Sequence, residues 1–225
     1  MHIEPGIVDG TKIVLSYATA VAAGGYAVKL AIETAREQGV VSLAARTAAT
    51  TALVVFFFEI LPHFSVGVSE VHFIFGSTLF LIFGAAPAAL GLGLGLLLQG
   101  LMLVPADLPQ YGMNVTTLLV PLFAISALAN RIIARETAYV DLQYRQALSL
   151  STAYQAGIVA WVAFWAIYGR GLGAENLSSI ATFAGSYAMV IVVEPLVDLG
   201  VLALAKSMRG VFAGGFVTPR LHHAA

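Results

Sequence analysis

VHFIFGSTLFLIFGAAPAALGLGLGLLLQGLMLVPA, residues 71–106, contains no Asp, Glu, Lys or Arg. At about 1.5 Å per residue a single helix over this stretch would be about 54 Å long, nearly twice the roughly 30 Å hydrocarbon core of a bilayer. Gly84 and Pro87 lie near its middle. Glycine frees the backbone to turn and proline removes an N–H from the helical ladder, so the stretch divides there into two shorter helices. That division sets the number of crossings and the side on which each loop falls.

The remainder of the chain supplies five more spans. They run over about Lys12–Ile32, Val41–Leu61, Asn114–Arg131, Leu148–Tyr168 and Leu177–Leu204. Of the 225 residues 59% are hydrophobic and only 10% charged, against about 25% charged in a soluble domain. The fold class is therefore all-α, a polytopic integral membrane protein of about seven transmembrane helices. Residues 1–225 make a single transmembrane domain. With the N-terminus outside, Lys29, Arg36, Arg46, Arg131, Arg135, Arg145, Lys206, Arg209 and Arg220 fall on the inner side, and only Lys12 and Arg170 on the outer. This asymmetry satisfies the positive-inside rule, and reading residues 71–106 as one span would destroy it. The inner segment RIIARETAYVDLQYRQ reads as an amphipathic helix, a connector or a docking surface. The tail LHHAA, with His222 and His223, reads as disordered or tag-like.

Composition also excludes chemistry. There is no Cys, hence no disulfide, thiolate metal site or Cys nucleophile. HExxH and GxSxG are absent, so the chain is not read as an enzyme. No basic patch suits nucleic acid. GLGLG lies inside a span with no strand before it, so it reads as close helix packing rather than a phosphate loop. ATAVAAGGYA on the first span is rich in small residues, suiting a close contact within the bundle or with a membrane partner. Glu59, Glu194 and Asp198 lie in or near spans. Intramembrane acids are functional suspects, and for Glu194 and Asp198 pairing with Arg or Lys is the preferred expectation.

The start, MHIEPGIVDG, lacks the basic residue that opens a signal peptide. A free amine on Met1, the backbone nitrogen of His2 and the His2 imidazole Nδ1 close one five-membered and one six-membered chelate ring. A second imidazole would complete a square-planar set of four nitrogens, a geometry that suits Ni(II) or Cu(II). His2, His63 and His72 all fall on the outer side of this topology.

Four motifs then carry a resemblance: MHIEPG; HFSVGVSEVHFIFGSTL, which places His63 and His72; LLLQGLMLVPADLPQYGMN, which places Gln99, Gly112 and Asn114; and, more weakly, VVEPLVDL, which places Glu194. Together they resemble the CbiM/NikM family, the cobalt/nickel substrate-binding membrane subunits of energy-coupling factor (ECF) transporters. The family's Gly-Gly-Thr-Ser run is reduced here to Gly67-Val68-Ser69 followed by Glu70, and Tyr187 stands where a His is expected. The resemblance implies that Met1 and His2 chelate the metal and that His72 closes the plane. His63 is then a spare, with an axial or entry role as its alternative. Ser69 and Glu70 would support the imidazoles by hydrogen bonds, or be solvated loop residues. Asn114 would hold the outer loop or the N-terminal segment, or cap a helix.

By the same resemblance, divalent cobalt or nickel is the transported substrate and no resident cofactor is expected. The partners would be a transmembrane coupling subunit, ATPase subunits and a small auxiliary membrane subunit, in the bilayer of the cell inner membrane. The chain has no nucleotide-binding motif, so ATP hydrolysis belongs to partners. A membrane metal sensor or assembly protein using the same nitrogens, and a membrane enzyme, are the alternatives from other classes.

Overall fold

A computed structural model describes residues 2–208 and 215–223. Its elements in chain order are α1 (Ile13–Gln38), α2 (Val40–Glu59), a hairpin of β1 (Phe64–Val66) and β2 (Ser69–Val71), α3 (Gly76–Phe83), α4 (Ala85–Met102), α5 (Tyr111–Ile132), α6 (Tyr144–Arg170) and α7 (Ala174–Ser207). All helices but α3 are long and apolar enough to cross a membrane. The charge-free stretch does divide at Gly84, whose φ of 90° ends α3 and precedes α4.

The first of its two pieces is the unusual one. With eight residues, α3 is only about 12 Å long and does not cross alone. It is almost wholly buried, and its exposed backbone groups are met by other elements. Glu194 on α7 accepts the N–H groups of Ile74 and Phe75 at 3.2 and 2.9 Å. Asp198, one turn on, accepts the hydroxyls of Ser77 and Thr78. At the other end the Ile82 carbonyl takes the Thr218 N–H at 2.8 Å, and the Phe83 carbonyl takes the buried Arg46 guanidinium at 2.8 Å. Irregular backbone at membrane depth is tolerated only where protein surrounds and satisfies it.

These contacts correct several expectations. Among the described residues, Glu194 and Asp198 pair with no Arg or Lys. Their partners are the N–H and hydroxyl groups that open α3, together with the Gln155 amide for Glu194. Arg46, counted among the inner-side charges, is buried against the end of α3. The tail is neither free nor tag-like at His222, since Thr218 and Leu221 just before it are buried. The segment after α5 is not an amphipathic helix. Ile133 is extended, the Gln146 amide takes the Ile132 carbonyl at 2.8 Å, and only Tyr139–Asp141 form a short 3-10 turn. Arg209 lies outside the described residues.

The GLGLG stretch packs α4 on α2. A Cβ on Gly91 would lie 2.4 Å from Thr50, and one on Gly95 2.6 Å from Val54, closer than side chains permit. The two ends of the bundle differ. One holds the hairpin, the 103–110 turn, the N-terminal segment and the α6–α7 connection. The opposite end holds the α1–α2 turn, the break at Gly84, the α5–α6 connection and the end of α7, where Lys206 meets Asp141 at 2.7 Å. His2 and Lys206 therefore sit at opposite ends.

Candidate metal site

The N-terminal segment is bound to the hairpin as if it were a third strand. Ile3 bridges to Ser69, the Glu4 N–H donates to the Val68 carbonyl at 3.2 Å, and the Glu70 N–H donates to the His2 carbonyl at 3.0 Å. The Ser69 hydroxyl adds a bond to the same carbonyl at 2.9 Å. From the bundle, Asn114 on α5 accepts the Ile3 N–H at 2.9 Å. Asn114 lies inside α5 rather than at its cap. Further along, Lys12 donates to the carbonyls of Tyr168 and Gly169 at the end of α6, at 3.1 and 2.8 Å. Such carbonyls lack helical partners and favour a cation.

Two glycines make these approaches possible. Gly67 turns the hairpin at φ 64°, where a Cβ would sit 2.2 Å from the Ser179 carbonyl oxygen on α7. Gly169 lets the Ile7 carbonyl oxygen come within 1.9 Å of where a Cβ would be. Any side chain at either position would push the N-terminal segment or the hairpin away from the bundle.

Glu70 and His72 are two residues apart along the strand direction, and side chains at that spacing share a face. His2, brought alongside, meets both. Glu70 Oε2 lies 2.8 Å from His2 Nδ1 and 2.8 Å from His72 Nε2. One ligand atom from each of the three residues lies within 4.8 Å of the others. The His2 and His72 rings are 5.3 Å apart, edge to face, with Phe58 beside both. Both imidazoles are buried, at 4% and 1% exposure, while Glu70 is partly open to solvent.

His63 is exposed and stacks flat on His72 at 4.9 Å. It covers the ring and contributes no nitrogen to the cluster. Met1 lies outside the described residues. Tyr187 directs its hydroxyl to the His72 carbonyl at 3.5 Å.

The sequence reading singled out Gln99 and Glu59 but did not join them to His2, and it did not name Asp107. His2 Nε2 faces Gln99 Oε1 at 2.9 Å, and the Gln99 amide nitrogen donates to Glu59 Oε1 at 2.6 Å. A carboxylate only accepts, so Glu59 fixes which way the Gln99 amide points. Asp107 Oδ2 stands 3.7 Å from the same His2 nitrogen. Gln99 and Glu59 were visible in the sequence as polar residues in apolar runs, but their meeting requires α2 and α4 to pack side by side.

Electrostatics follow from burial and these bonds. Burial raises the Glu70 carboxyl, but the bonds from His2 and His72 outweigh it and hold the group well below the ordinary carboxylate range. Burial lowers the His72 imidazole to about 3, against the opposing pull of Glu70. A buried neutral imidazole is a ready metal ligand. Two imidazole nitrogens and a carboxylate converging on one point at the end of a membrane bundle are suited to a divalent transition-metal ion.

A model of the cobalt uptake substrate-specific transmembrane region, CbiM, matches residues 2–211. The chain belongs to the CbiM family. It is thus a multi-pass membrane protein of metal transport, a substrate-binding subunit and not an enzyme. The fold is also that of two solved structures. One, the crystal structure of a transition metal transporter, matches with a TM-score of 0.70 and 16% identity over 92% of this chain and 93% of that one. A truncated transition metal transporter matches with a TM-score of 0.63 and 16% identity over 93% and 98%. No curated protein sequence matches the chain.

Proposed function

We propose that this CbiM-family chain is the substrate-specificity subunit of an energy-coupling factor transporter and that it captures divalent cobalt or nickel for ATP-driven uptake. The ion is held by the Met1 amine, the His2 backbone nitrogen, His2 Nδ1 and His72 Nε2. The observation that carries the reading is that His2 Nδ1 and His72 Nε2 turn toward one another across Glu70 Oε2, each 2.8 Å from it, with one ligand atom from each of the three residues within 4.8 Å of the others. Gln99 occupies the other nitrogen of His2. It is therefore Nδ1, the atom a six-membered chelate ring needs, that faces the site.

The transmembrane coupling subunit, the ATPase subunits and a small auxiliary membrane subunit are the partners, in the inner membrane. The site end of the bundle faces outward, where an arriving ion meets it. A reporter fused after Arg220 is then cytoplasmic, and one in the 105–113 loop is outside.

The deciding experiment extends the chain by one residue before Met1. Extension turns the amine into an amide, which binds a metal only after losing a further proton. The extended protein reaches the membrane in normal amount but binds and accumulates little Ni(II) or Co(II), while an extension after Ala225 is harmless. Equal Ni(II) affinity in the N-terminally extended and native forms would remove Met1 from the ligand set. Loss of accumulation when the ATPase partner is deleted separates transport from sensing.

A further inference from the structure

We infer that Glu70 is itself a ligand of the transported ion, so that the site is a mixed nitrogen and carboxylate site with a fifth donor rather than a plane of nitrogens alone. This rests on the reading that His2 and His72 hold the ion.

The geometry separates a ligand from a supporting group. A residue that supports a metal-bound imidazole takes the N–H on the ring nitrogen remote from the metal. For His2 that nitrogen is Nε2, and it faces Gln99. For His72 it is Nδ1, which is buried with no hydrogen-bond partner among the described residues. Glu70 faces neither remote nitrogen. One oxygen, Oε2, lies against the two nitrogens that face the ion, 2.8 Å from each. Once the ion is bound, those nitrogens have no proton to donate to Glu70. The carboxylate then either binds the ion or keeps only the long 3.5 Å bond from the Ser65 hydroxyl to its other oxygen, Oε1, leaving Oε2 unpaired beside the ion.

The hydrogen-bond inventory of His2 points the same way. Both of its ring nitrogens face acceptors, Glu70 Oε2 and Gln99 Oε1, and the Gln99 amide is locked in that orientation by Glu59. A neutral imidazole has one N–H for two acceptors. One positive charge at the Nδ1–Oε2 contact, a second ring proton in the ion-free chain or the metal in its place, satisfies both acceptors.

Charge completes the argument. A divalent ion bound by a deprotonated backbone amide and neutral imidazoles and amine keeps one net positive charge. The Glu70 carboxylate cancels it, and a neutral site is far less costly to bury than a charged one. An oxygen donor above a nitrogen plane favours ions that accept five or six ligands over those that prefer four in a plane. The substrate class is accordingly a divalent ion that accepts a fifth donor, such as Co(II) or five-coordinate Ni(II).

The test is X-ray absorption at the nickel edge on protein purified with its native start and loaded with Ni(II), for the parent chain, Glu70→Gln, Glu70→Ala and His72→Ala. The parent chain should lack the pre-edge feature of square-planar Ni(II) and fit five nitrogen or oxygen scatterers rather than four. Glu70→Gln and Glu70→Ala should gain the planar feature and fall to four scatterers. A retained cooperative melting transition in the ion-free variants in detergent excludes misfolding of the near-isosteric Glu70→Gln. A planar spectrum in the parent chain, or the same spectrum in all three Glu70 forms, overturns the inference while leaving the nitrogen site standing, provided that His72→Ala loses binding. Full binding in His72→Ala overturns the nitrogen site, and this inference with it.

Discussion

Asn114 Oδ1 accepts the backbone N–H of Ile3 at 2.9 Å, so a buried side chain on α5 fixes the register of the residue next to His2. The hairpin sets the same register from the other side, through Val68, Ser69 and Glu70. Asn114→Ala removes the acceptor and leaves a buried N–H unpaired, a cost of about 1–3 kcal/mol. We expect Ni(II) affinity to fall by roughly ten-fold or more, since 1.4 kcal/mol is one decade. Asn114→Asp keeps an acceptor and should lose less. Calorimetric titration of the purified variants measures both.

Glu59 and Gln99 act on His2 through one chain of hydrogen bonds. Gln99→Leu leaves His2 Nε2 without its acceptor and frees the ring to turn. Partners of this kind typically contribute about 10–100-fold to metal affinity, and a loss in that range is expected. Glu59→Gln removes the lock on the Gln99 amide rather than the amide itself, so its effect should be smaller. Equal affinity in Gln99→Leu and the parent chain would show that His2 is held by the chelate alone.

The sequence carried the spans well and the site unevenly, for identifiable reasons. Long apolar helices are dictated by the bilayer, so α1, α2, α5, α6 and α7 begin and end within six residues of the boundaries read from hydropathy. The break at Gly84 was equally legible, because a glycine and a proline interrupt a run with nothing else in it. The shortness of α3 was not. It depends on Arg46, Thr218, Glu194 and Asp198 arriving from distant segments to satisfy its ends. His2 and His72 were found by pattern and resemblance. Hydrogen bonds between Glu70 and the imidazoles were expected from the same pattern; that a single oxygen meets both rings was not legible, because it depends on the pairing of the N-terminal segment with β2. The expectation that Glu194 and Asp198 seek basic partners failed because backbone N–H groups and hydroxyls satisfy a buried carboxylate as well.

Glu194 joins the core to the ion site. It accepts the N–H groups of Ile74 and Phe75, two and three residues after His72. Glu194→Ala strands both groups and the Gln155 amide, at about 1–3 kcal/mol for each buried group left unpaired. In a chain of this size each kcal/mol moves the melting temperature by about 2–4 °C, so a drop of several degrees in detergent is expected, together with weaker Ni(II) binding as the His72 loop loosens. Glu194→Gln keeps a carbonyl oxygen toward α3 and should recover most of the stability. An unchanged melting temperature in Glu194→Ala would mean that water replaces the carboxylate.

His72 makes the ion-free protein sensitive to acid. Its imidazole is lowered to about 3 in the folded chain, against about 6.5 for the residue when unfolded. Between those values the unfolded chain binds a proton at His72 and the folded chain does not, so stability falls as pH drops below about 6.5. The slope from this one group is at most about 1.4 kcal/mol per pH unit. Glu70 acts in the same direction at lower pH. Its carboxyl is depressed in the fold, so the stability it contributes above about pH 4.3 is lost as pH falls further. Melting curves of metal-free protein in detergent from pH 7.5 to 5 should therefore show a steady decline, and His72→Gln, with no titrating ring, should flatten it. A decline of the same steepness in His72→Gln would assign the acid sensitivity to other groups.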